Sequence, residues 1–323
     1  MKGALHLPGW RMWLDAHEAI RRGETVFVSH AHSDHTARHA EVYLTEATRR
    51  LMRARIGGER TEHALAFGER RELAEGALTL LPAGHILGSA MSLLEGAEGS
   101  LLYTGDFKLR PGMASEVCEP RKADALVMET TFGRPKYVFP PAAEVIAGIH
   151  RFCRETLDEG GVPILLGYSL GKAQEILACL SGAGLPIMVS EPVAKMTRVY
   201  AELGHVFPEF RMLEVAEAQG HVVVAPPGSA LKTLREGLGR SRVGVITGWA
   251  MDPGCRFRYQ ADAAFPLSDH ADYPELMELV RRVEPKVVYT VHGFATEFAA
   301  DLRRAGVEAW ALGRQEQLEL GLG

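Results

Sequence analysis

The sequence has 323 residues, of which 46% are hydrophobic, and its formal net charge at pH 7 is -5. A chain of this length can bury the cores of two ordinary domains, and its charge excludes a uniformly basic protein attracted to polyanions. The four cysteines are far apart in sequence, which excludes a dense disulfide scaffold and a CxxC zinc ribbon. We therefore expect a globular protein of a reducing compartment, the cytoplasm, that binds any nucleic acid locally.

Membrane and targeting segments are not expected. The first 24 residues contain no uninterrupted apolar stretch of the kind a signal peptide needs. No later run approaches the roughly 20 apolar residues of a membrane-spanning helix. The sequence therefore predicts a protein without a membrane partner, and it leaves the oligomeric state open.

Short apolar runs dominate the first part of the chain. Each run has strand length and ends at a polar or glycine-containing turn, which predicts strands at 25–29, 41–45, 78–83, 91–95 and 100–106. From about Pro140 the texture changes to helices that alternate with apolar strands, and this continues to about residue 250. The alternation predicts an α/β protein with a small parallel-sheet layer. Since motif-bearing strands return near the end, we expect a discontinuous first domain, 1–139 and 263–323, with a second domain, 140–262, nested in it.

A dense group of metal-binding residue types follows the first of these predicted strands. His30, His32, Asp34 and His35 fall within six residues at the junction of a strand and a loop. Imidazole and carboxylate groups are the usual ligands of catalytic zinc. In the alternative interpretation Asp34 caps a helix and the histidines lie at the surface, but capping has no use for three histidines.

Three further residues lie at the ends of other predicted strands. His85, Asp106 and His292 each follow an apolar run, so that they can converge on one edge of a sheet. Taken alone, each has an ordinary alternative as a structural histidine or a turn residue. Together with the first motif they predict two ions bridged by Asp106. One ion takes His30, His32 and His85, and the other takes Asp34, His35 and His292.

Such a pair of ions supports hydrolysis. Two dications lower the pKa of a shared water and polarise a phosphoryl or acyl oxygen, so that no serine or cysteine nucleophile is needed. The sequence contains no GxxxxGK[ST] phosphate loop. Zinc is the expected metal because histidines dominate the set, and Mn²⁺ and Fe²⁺ fit the same ligands.

The ordered motifs HAHSDH, AGHILGS, TGDFK and VHGF resemble those of the metallo-β-lactamase superfamily. Three more features, ETTFG, GYSLGKAQE and SDHAD, are similar to its β-CASP branch of nucleases, and within it to ligase-associated DNA exonucleases and archaeal relatives that process RNA 3' ends. The resemblance covers most of the chain. It implies an αββα sandwich with an inserted β-CASP α/β domain, and a nuclease that uses two divalent ions.

The resemblance also implies roles for residues near the metals. His270 would protonate the leaving oxygen or hold a phosphate oxygen, and Glu129 would orient a histidine. Asp34 is counted both as a ligand and as a catalytic residue. Each has an alternative: Glu129 as a turn or capping carboxylate, and His270 as a residue at the start of a helix that Ser268 caps.

Substrate contacts are expected at the second motif of the insertion. Ser169 and Lys172 lie in a strand-to-helix turn whose free N–H groups suit a phosphate, and Ser268 lies beside His270. In the alternative interpretation this is only a tight turn. We expect an exonuclease on single-stranded DNA, with a DNA ligase or helicase as a partner implied by resemblance. An RNA-processing exo- or endoribonuclease is the alternative, and a small-molecule thioesterase or lactonase is disfavoured by the insertion.

Overall fold

The computed structural model describes residues 4–20 and 23–312, and these form two compact units. The first unit runs to Val138 and resumes at His270, and the second is Phe139–Asp269. The ends of the expected first domain, 1–3 and 313–323, lie outside the described residues. A boundary at 262 is expected from the sequence, but the strand Ala263–Phe265 pairs with Gly244–Ile246 in the sheet of the second unit.

The elements are numbered in chain order. The strands are β1 (Leu5–Leu7), β2 (Met12–Leu14), β3 (Thr25–Phe27), β4 (Glu41–Leu44), β5 (Thr61–Ala64), β6 (Arg70–Leu73), β7 (Gly76–Pro82), β8 (Ala90–Gly96), β9 (Gly99–Tyr103), β10 (Ala125–Glu129), β11 (Val162–Leu166), β12 (Ile187–Val189), β13 (Arg211–Met212), β14 (Val222–Ala225), β15 (Ser241–Ile246), β16 (Ala263–Phe265), β17 (Val287–Val291) and β18 (Ala309–Ala311). The helices are α1 (Glu46–Ile56), α2 (Ala142–Asp158), α3 (Lys172–Cys179), α4 (Glu191–Glu202), α5 (Ala230–Leu238), α6 (Cys255–Tyr259), α7 (Tyr273–Val283) and α8 (Ala295–Arg304).

Two sheets form the first unit. One has the order β1-β2-β3-β4-β5, and the other has the order β18-β17-β10-β9-β8-β7-β6. In the second sheet β18, β17, β10 and β9 are parallel, whereas β8, β7 and β6 are antiparallel to their neighbours. The carboxyl ends of β17, β10 and β9 therefore lie at one edge of this sheet, which is where the expected ligands follow.

The core of the first unit lies on both faces of the larger sheet. Leu101 belongs to the apolar cluster shared with the first sheet, and its neighbour Leu102 belongs to the cluster formed with α7 and α8. Successive strand side chains point to opposite faces, so both faces of β9 are apolar because both are covered. The result is a helix-covered sandwich of two sheets.

The second unit is a parallel sheet with helices on both faces. Its order is β13-β12-β14-β11-β15-β16, and each of these pairings is parallel. One apolar cluster contains residues from α2, α3 and α4, and a second contains residues from α5 and α6 on the other side of the sheet. The alternation of helices and strands predicted from the sequence is therefore present in this part of the chain.

The chain leaves and returns to the first unit at adjacent points. Tyr273 N donates a hydrogen bond to Tyr137 O over 3.0 Å. Helix α7 begins at the return point, where the Asp272 side chain accepts from Glu275 N and the Glu275 side chain accepts from Asp272 N. This reciprocal cap fixes the start of the helix at Tyr273, three residues after His270.

Across residues 4–20 and 23–312, the structure contains no helix that combines the length and the apolar character needed to span a lipid bilayer.

The buried residue His39 should make the free energy of unfolding depend on pH in the acid range. His39 is buried beside Ile20, whose N–H it accepts, and burial lowers its pKa to about 4. The unfolded histidine takes up a proton below about pH 6.5, so stability is lost as the pH falls from there towards 4, at no more than about 1.4 kcal/mol per pH unit. The His39→Gln variant should lose this part of the pH dependence in urea unfolding of metal-free protein. His221→Gln, at the surface of the second unit, should unfold like the wild type at every pH.

Candidate metal centre

The expected ligands of the first unit follow strand ends. His30 and His35 lie in the loop after β3, His85 follows β7, Asp106 follows β9, and His292 follows β17. The turns at Gly105 and Gly293 need glycine, and the first brings Asp106 into the site. A Cβ on Gly105, whose φ is +53°, would lie 2.5 Å from the Ser29 Cβ. This close approach of the Thr-Gly-Asp turn to the His30 loop is what brings Asp106 among the histidines.

Three imidazole nitrogens meet at one point. His30 Nε2 lies 3.0 Å from His32 Nδ1, and His85 Nε2 lies 3.1 Å from the same His32 nitrogen. Ligand atoms about 2.0 to 2.1 Å from a tetrahedral zinc ion are spaced by little more than 3 Å, so this spacing fits a single ion. One ligand atom from each of these histidines and from Asp106 lies within 4.8 Å of the others. The donor set and the spacing of this cluster fit a divalent metal ion.

Asp106 stands between this cluster and His35. Its Oδ2 atom lies 3.6 Å from His30 Nε2, 3.7 Å from His85 Nε2 and 3.4 Å from His35 Nε2. Burial opposes its ionisation, but the charges of His35 and His270 outweigh this and hold the pKa of Asp106 well below its usual range. Asp106 is therefore a carboxylate, the form that binds cations.

The remaining expected ligands are more loosely placed. Asp34 Oδ2 lies 3.8 Å from His35 Nε2, and the Asp34 side chain is 80% exposed. The ring centre of His292 lies 6.1 Å from that of His35. His292 has a φ of +59°, and a Cβ on the following Gly293 would lie 2.3 Å from Thr130 O. The backbone after β17 therefore turns sharply against Thr130, and this turn places the His292 ring on the side of His35.

The pKa values of the buried residues His30 and His35 are shifted in opposite directions. Burial lowers the pKa of His30, and the neighbouring histidines lower it further. Burial also opposes a charge on His35, but the carboxylates of Asp106 and Asp15 outweigh this and raise its pKa well above the usual value. His30 is thus neutral at pH 7, as a metal ligand must be.

Asp15 is a site residue that the sequence analysis missed. It lies directly after β2 and accepts hydrogen bonds from Ser29 Oγ over 2.6 Å and from Tyr103 Oη over 2.8 Å. His35 Nδ1 lies 2.8 Å from the same carboxylate, and His30 Nδ1 lies 2.9 Å from Ser29 Oγ. Because the Ser29 hydroxyl donates to Asp15, it accepts from His30 Nδ1, and the neutral His30 keeps its Nε2 lone pair for the centre. Asp15 holds His35 through Nδ1, so that His35 Nε2 faces Asp106.

Removing the charge of Asp15 should weaken metal binding without removing a ligand. The Asp15→Asn variant should lose about 10- to 100-fold in metal affinity, because partners behind the ligands typically contribute this much. Competition with a chromophoric chelator would measure the change. Asp124→Asn, which changes a carboxylate bonded to Ser100 on the same unit, should keep the wild-type affinity. Equal affinity in Asp15→Asn and Asp124→Asn would contradict this role for Asp15.

Glu129 and His270 form a second pair beside the cluster. Glu129 Oε1 lies 2.8 Å from His270 Nδ1 and also accepts a hydrogen bond from Phe107 N over 3.0 Å. One ligand atom each of Asp106, Glu129 and His270 lies within 4.8 Å of the others. Glu129 is buried, whereas the His270 side chain is 23% exposed. The pair therefore presents a partly accessible imidazole, with its Nδ1 held by a buried carboxylate, beside Asp106.

Arg110 holds the segment that carries His270 in place. The Arg110 guanidinium lies 3.0 Å from Asp272 and 2.6 Å from Glu275, and it donates to His270 O over 3.3 Å. Helix α7 starts after Asp272, which is its cap, so the alternative in which Ser268 caps a helix starting at His270 is wrong. His270 lies instead in the loop before the helix.

The expected substrate contacts of the second unit differ in burial. Lys172 is buried, donates to Leu267 O over 2.9 Å and lies 3.2 Å from Asp269 Oδ1. Ser169 is half-buried, and its carbonyl accepts from Gln174. Ser268 is buried. The Lys172 ammonium thus connects the start of α3 to residues 267–269. Its role in this structure is to stabilise that loop.

Comparison with known families gives one match within the chain. Residues 263–312, which include His270 and His292, match the family model RMMBL, the Zn-dependent metallo-hydrolase RNA specificity domain. Helices α7 and α8 and strands β17 and β18 fall within this segment. The match therefore includes the carboxyl-terminal elements of the first unit.

Curated proteins match over more of the chain. A protein named probable DNA ligase from Opitutus terrae is 54% identical over 98% of this chain and 31% of its own length. The 5' exonuclease Apollo from Gallus gallus is 28% identical over 86% of this chain and 61% of its own length. This chain thus spans less than two thirds of either relative.

A solved structure shares the fold. The crystal structure of a protein of unknown function from Enterococcus faecalis matches with a TM-score of 0.63 and 16% sequence identity, over 90% of this chain and 80% of that one.

Proposed function

Since the chain belongs to the β-CASP nuclease branch of the metallo-β-lactamase superfamily, we propose that it is a metal-dependent nuclease that hydrolyses phosphodiester bonds of single-stranded DNA. Its fold is the metallo-β-lactamase fold with an inserted domain. We propose a metallo-β-lactamase domain of residues 1–138 and 270–323 and a β-CASP insertion of residues 139–269, which follow the two compact units. The observation that carries the proposal is the convergence of His30, His32, His85 and Asp106 beside the Glu129–His270 pair.

Two divalent ions, proposed as zinc, fit the donor set. The first would be held by His30, His32 and His85, and Asp106 would be shared with a second held by Asp34, His35 and His292. The shared role rests on the position of Asp106 Oδ2, which faces His35 as well as His30 and His85. When bound, such ions supply a water nucleophile near neutral pH and polarise the phosphoryl oxygen.

The side chains of this chain supply the remaining steps. Asp15 and Ser29 hold His30 and His35 with their Nε2 atoms towards the centre. Glu129 holds His270 through Nδ1, so that a proton on Nε2 is available to the oxygen that departs as the P–O bond breaks. Arg110 fixes the His270 backbone and keeps this imidazole beside Asp106. We also propose a catalytic role for Asp34, whose side chain is 80% exposed beside His35.

DNA is the proposed substrate because the relatives carry the names DNA ligase and 5' exonuclease. The match to an RNA specificity domain makes RNA the second candidate. We also propose that the protein acts together with a DNA ligase, since nearly the whole chain matches part of a protein with that name. A ligation assay on gapped or flapped DNA with and without this protein would test the cooperation, and equal ligation would reject it.

The nuclease proposal is tested with matched substrates. Metal-loaded protein is incubated with single-stranded DNA and RNA of one sequence, each labelled at one end, and the products are resolved on a gel. EDTA-treated protein and an Asp106→Asn variant purified in parallel are the controls for a contaminating nuclease. A metal-dependent ladder on DNA that Asp106→Asn does not produce supports the proposal, and a ladder only on RNA supports the second candidate. Cleavage of neither strand would reject both.

A further inference from the structure

Helix α6 of the second unit presents an unusual outer face. Cys255 and Tyr259 are spaced by four residues and lie on one face, where Cys255 is buried and Tyr259 packs against the same apolar cluster. With 100° between successive helical residues, position 257 points away from that face, and positions 256 and 258 lie on either side of it. Phe257 is accordingly 92% exposed.

Two cations flank this phenylalanine. Arg256 and Arg258 are both exposed, and neither guanidinium lies within 4 Å of a carboxylate in the part of the chain that the structure describes. The three side chains line an open depression of about 610 Å³ together with Gln260 and Ala261. The Phe257 ring takes no part in the packing of α6, and its face is open to a ligand.

A second exposed aromatic residue, Tyr168, lies beside Tyr259 on the inner face of α6. Burial raises the pKa of Tyr259 to about 12, and a side-chain hydrogen bond with Tyr168 adds to this shift. Tyr168, in the turn after β11, is 60% exposed. Helix α6 also contacts the short helical turn Gly248–Met251, so its base is anchored within the second unit.

We propose that the outer face of α6 is a single-strand nucleic-acid contact, in which Phe257 stacks on a base and Arg256 and Arg258 pair with the adjacent phosphates. Exposed bases stack on aromatic rings regardless of sequence, and arginine matches phosphate in charge and geometry. A face with an apolar centre and cationic flanks fits a strand with alternating bases and anionic phosphates. The inference rests on the proposed nuclease function and extends it to a contact outside the metal centre.

The test measures binding without cleavage. Fluorescence anisotropy of a labelled 20-nucleotide oligothymidylate is followed on EDTA-treated protein at several salt concentrations. Phe257→Ala should weaken binding about tenfold, as loss of one stacked base does. The double variant R256Q/R258Q should reduce the slope of log affinity against log salt by about 1.4, that is about 0.7 for each lost phosphate contact. Val206→Ala and Arg240→Gln, exposed residues elsewhere on the same unit, are the controls and should bind like the wild type.

The outcomes separate this inference from the proposed function. If Phe257→Ala and R256Q/R258Q bind like the wild type, the inference is overturned. If they bind normally but lose self-association in sedimentation, the face is a contact between copies, and the inference is also overturned. Hydrolysis of bis(p-nitrophenyl) phosphate by wild-type protein tests the nuclease proposal separately, because that substrate is too small to need α6.

Discussion

Replacing Asp106 by asparagine should remove both bound metal and catalysis. The amide keeps the size of the carboxylate but lacks the charge that stands between His30, His85 and His35. Charge stabilisation by metal ions contributes several kcal/mol to hydrolysis, so a loss of roughly 10³-fold in turnover is expected. Metal content by mass spectrometry and rate of cleavage of a labelled strand would be measured on the same preparation.

A second carboxylate of the same unit gives the control. Asp124 is bonded to Ser100 and Lys286 at the start of β10, away from the cluster, and Asp124→Asn should retain metal and activity. His30→Ala should behave like Asp106→Asn, since it removes a buried nitrogen of the same cluster. An Asp106→Asn protein that keeps full metal content and turnover would exclude Asp106 as a ligand.

Replacing His270 by alanine should separate catalysis from metal binding. His270 contacts Glu129 and lies beside Asp106, but it is not one of the converging histidines of the cluster. We expect metal content to stay at the wild-type level and turnover to fall about 10²- to 10⁴-fold, the usual contribution of a positioned acid. Pre-steady-state cleavage of a labelled strand, with metal content measured in parallel, would give both quantities.

A variant of Glu129 should have an intermediate rate in the same experiment. Glu129→Gln keeps an oxygen for Phe107 N but loses the charge that holds His270 Nδ1, so its rate should lie between those of wild type and His270→Ala. The double variant should be no slower than His270→Ala alone, because Glu129 acts through His270. Unchanged turnover in His270→Ala would remove it from the mechanism, and additive losses would give Glu129 a separate role.

The strands and the edge that carries the site could be predicted because their signals are local. Apolar runs that end at His30, His85, Asp106 and His292 correspond to β3, β7, β9 and β17. The resemblance to a known family then supplied the sandwich and the insertion, which no single run specifies. Helix α1 was not predicted, because only Thr48, Leu51 and Met52 of its residues are buried and most of the others are charged.

Asp15 and Lys172 show what sequence alone leaves out. Asp15 has the same signal as the ligands, a single carboxylate after a short apolar strand, but its partners lie 14 to 88 residues away in sequence. Its φ of +51°, which is uncommon for a residue with a side chain, marks the position only once the backbone is known. The partners of Lys172, Leu267 and Asp269, are likewise distant in sequence, so its burial could not be foreseen.

The hydrogen bond between Tyr273 N and Tyr137 O has a consequence for how the chain can vary. Because the first unit holds the two ends of the intervening segment together, the entropy of closing that loop depends only weakly on its length, growing by roughly 0.6 kcal/mol for each doubling. The second unit can therefore be enlarged, exchanged or replaced by a short linker at little conformational cost to the metal centre.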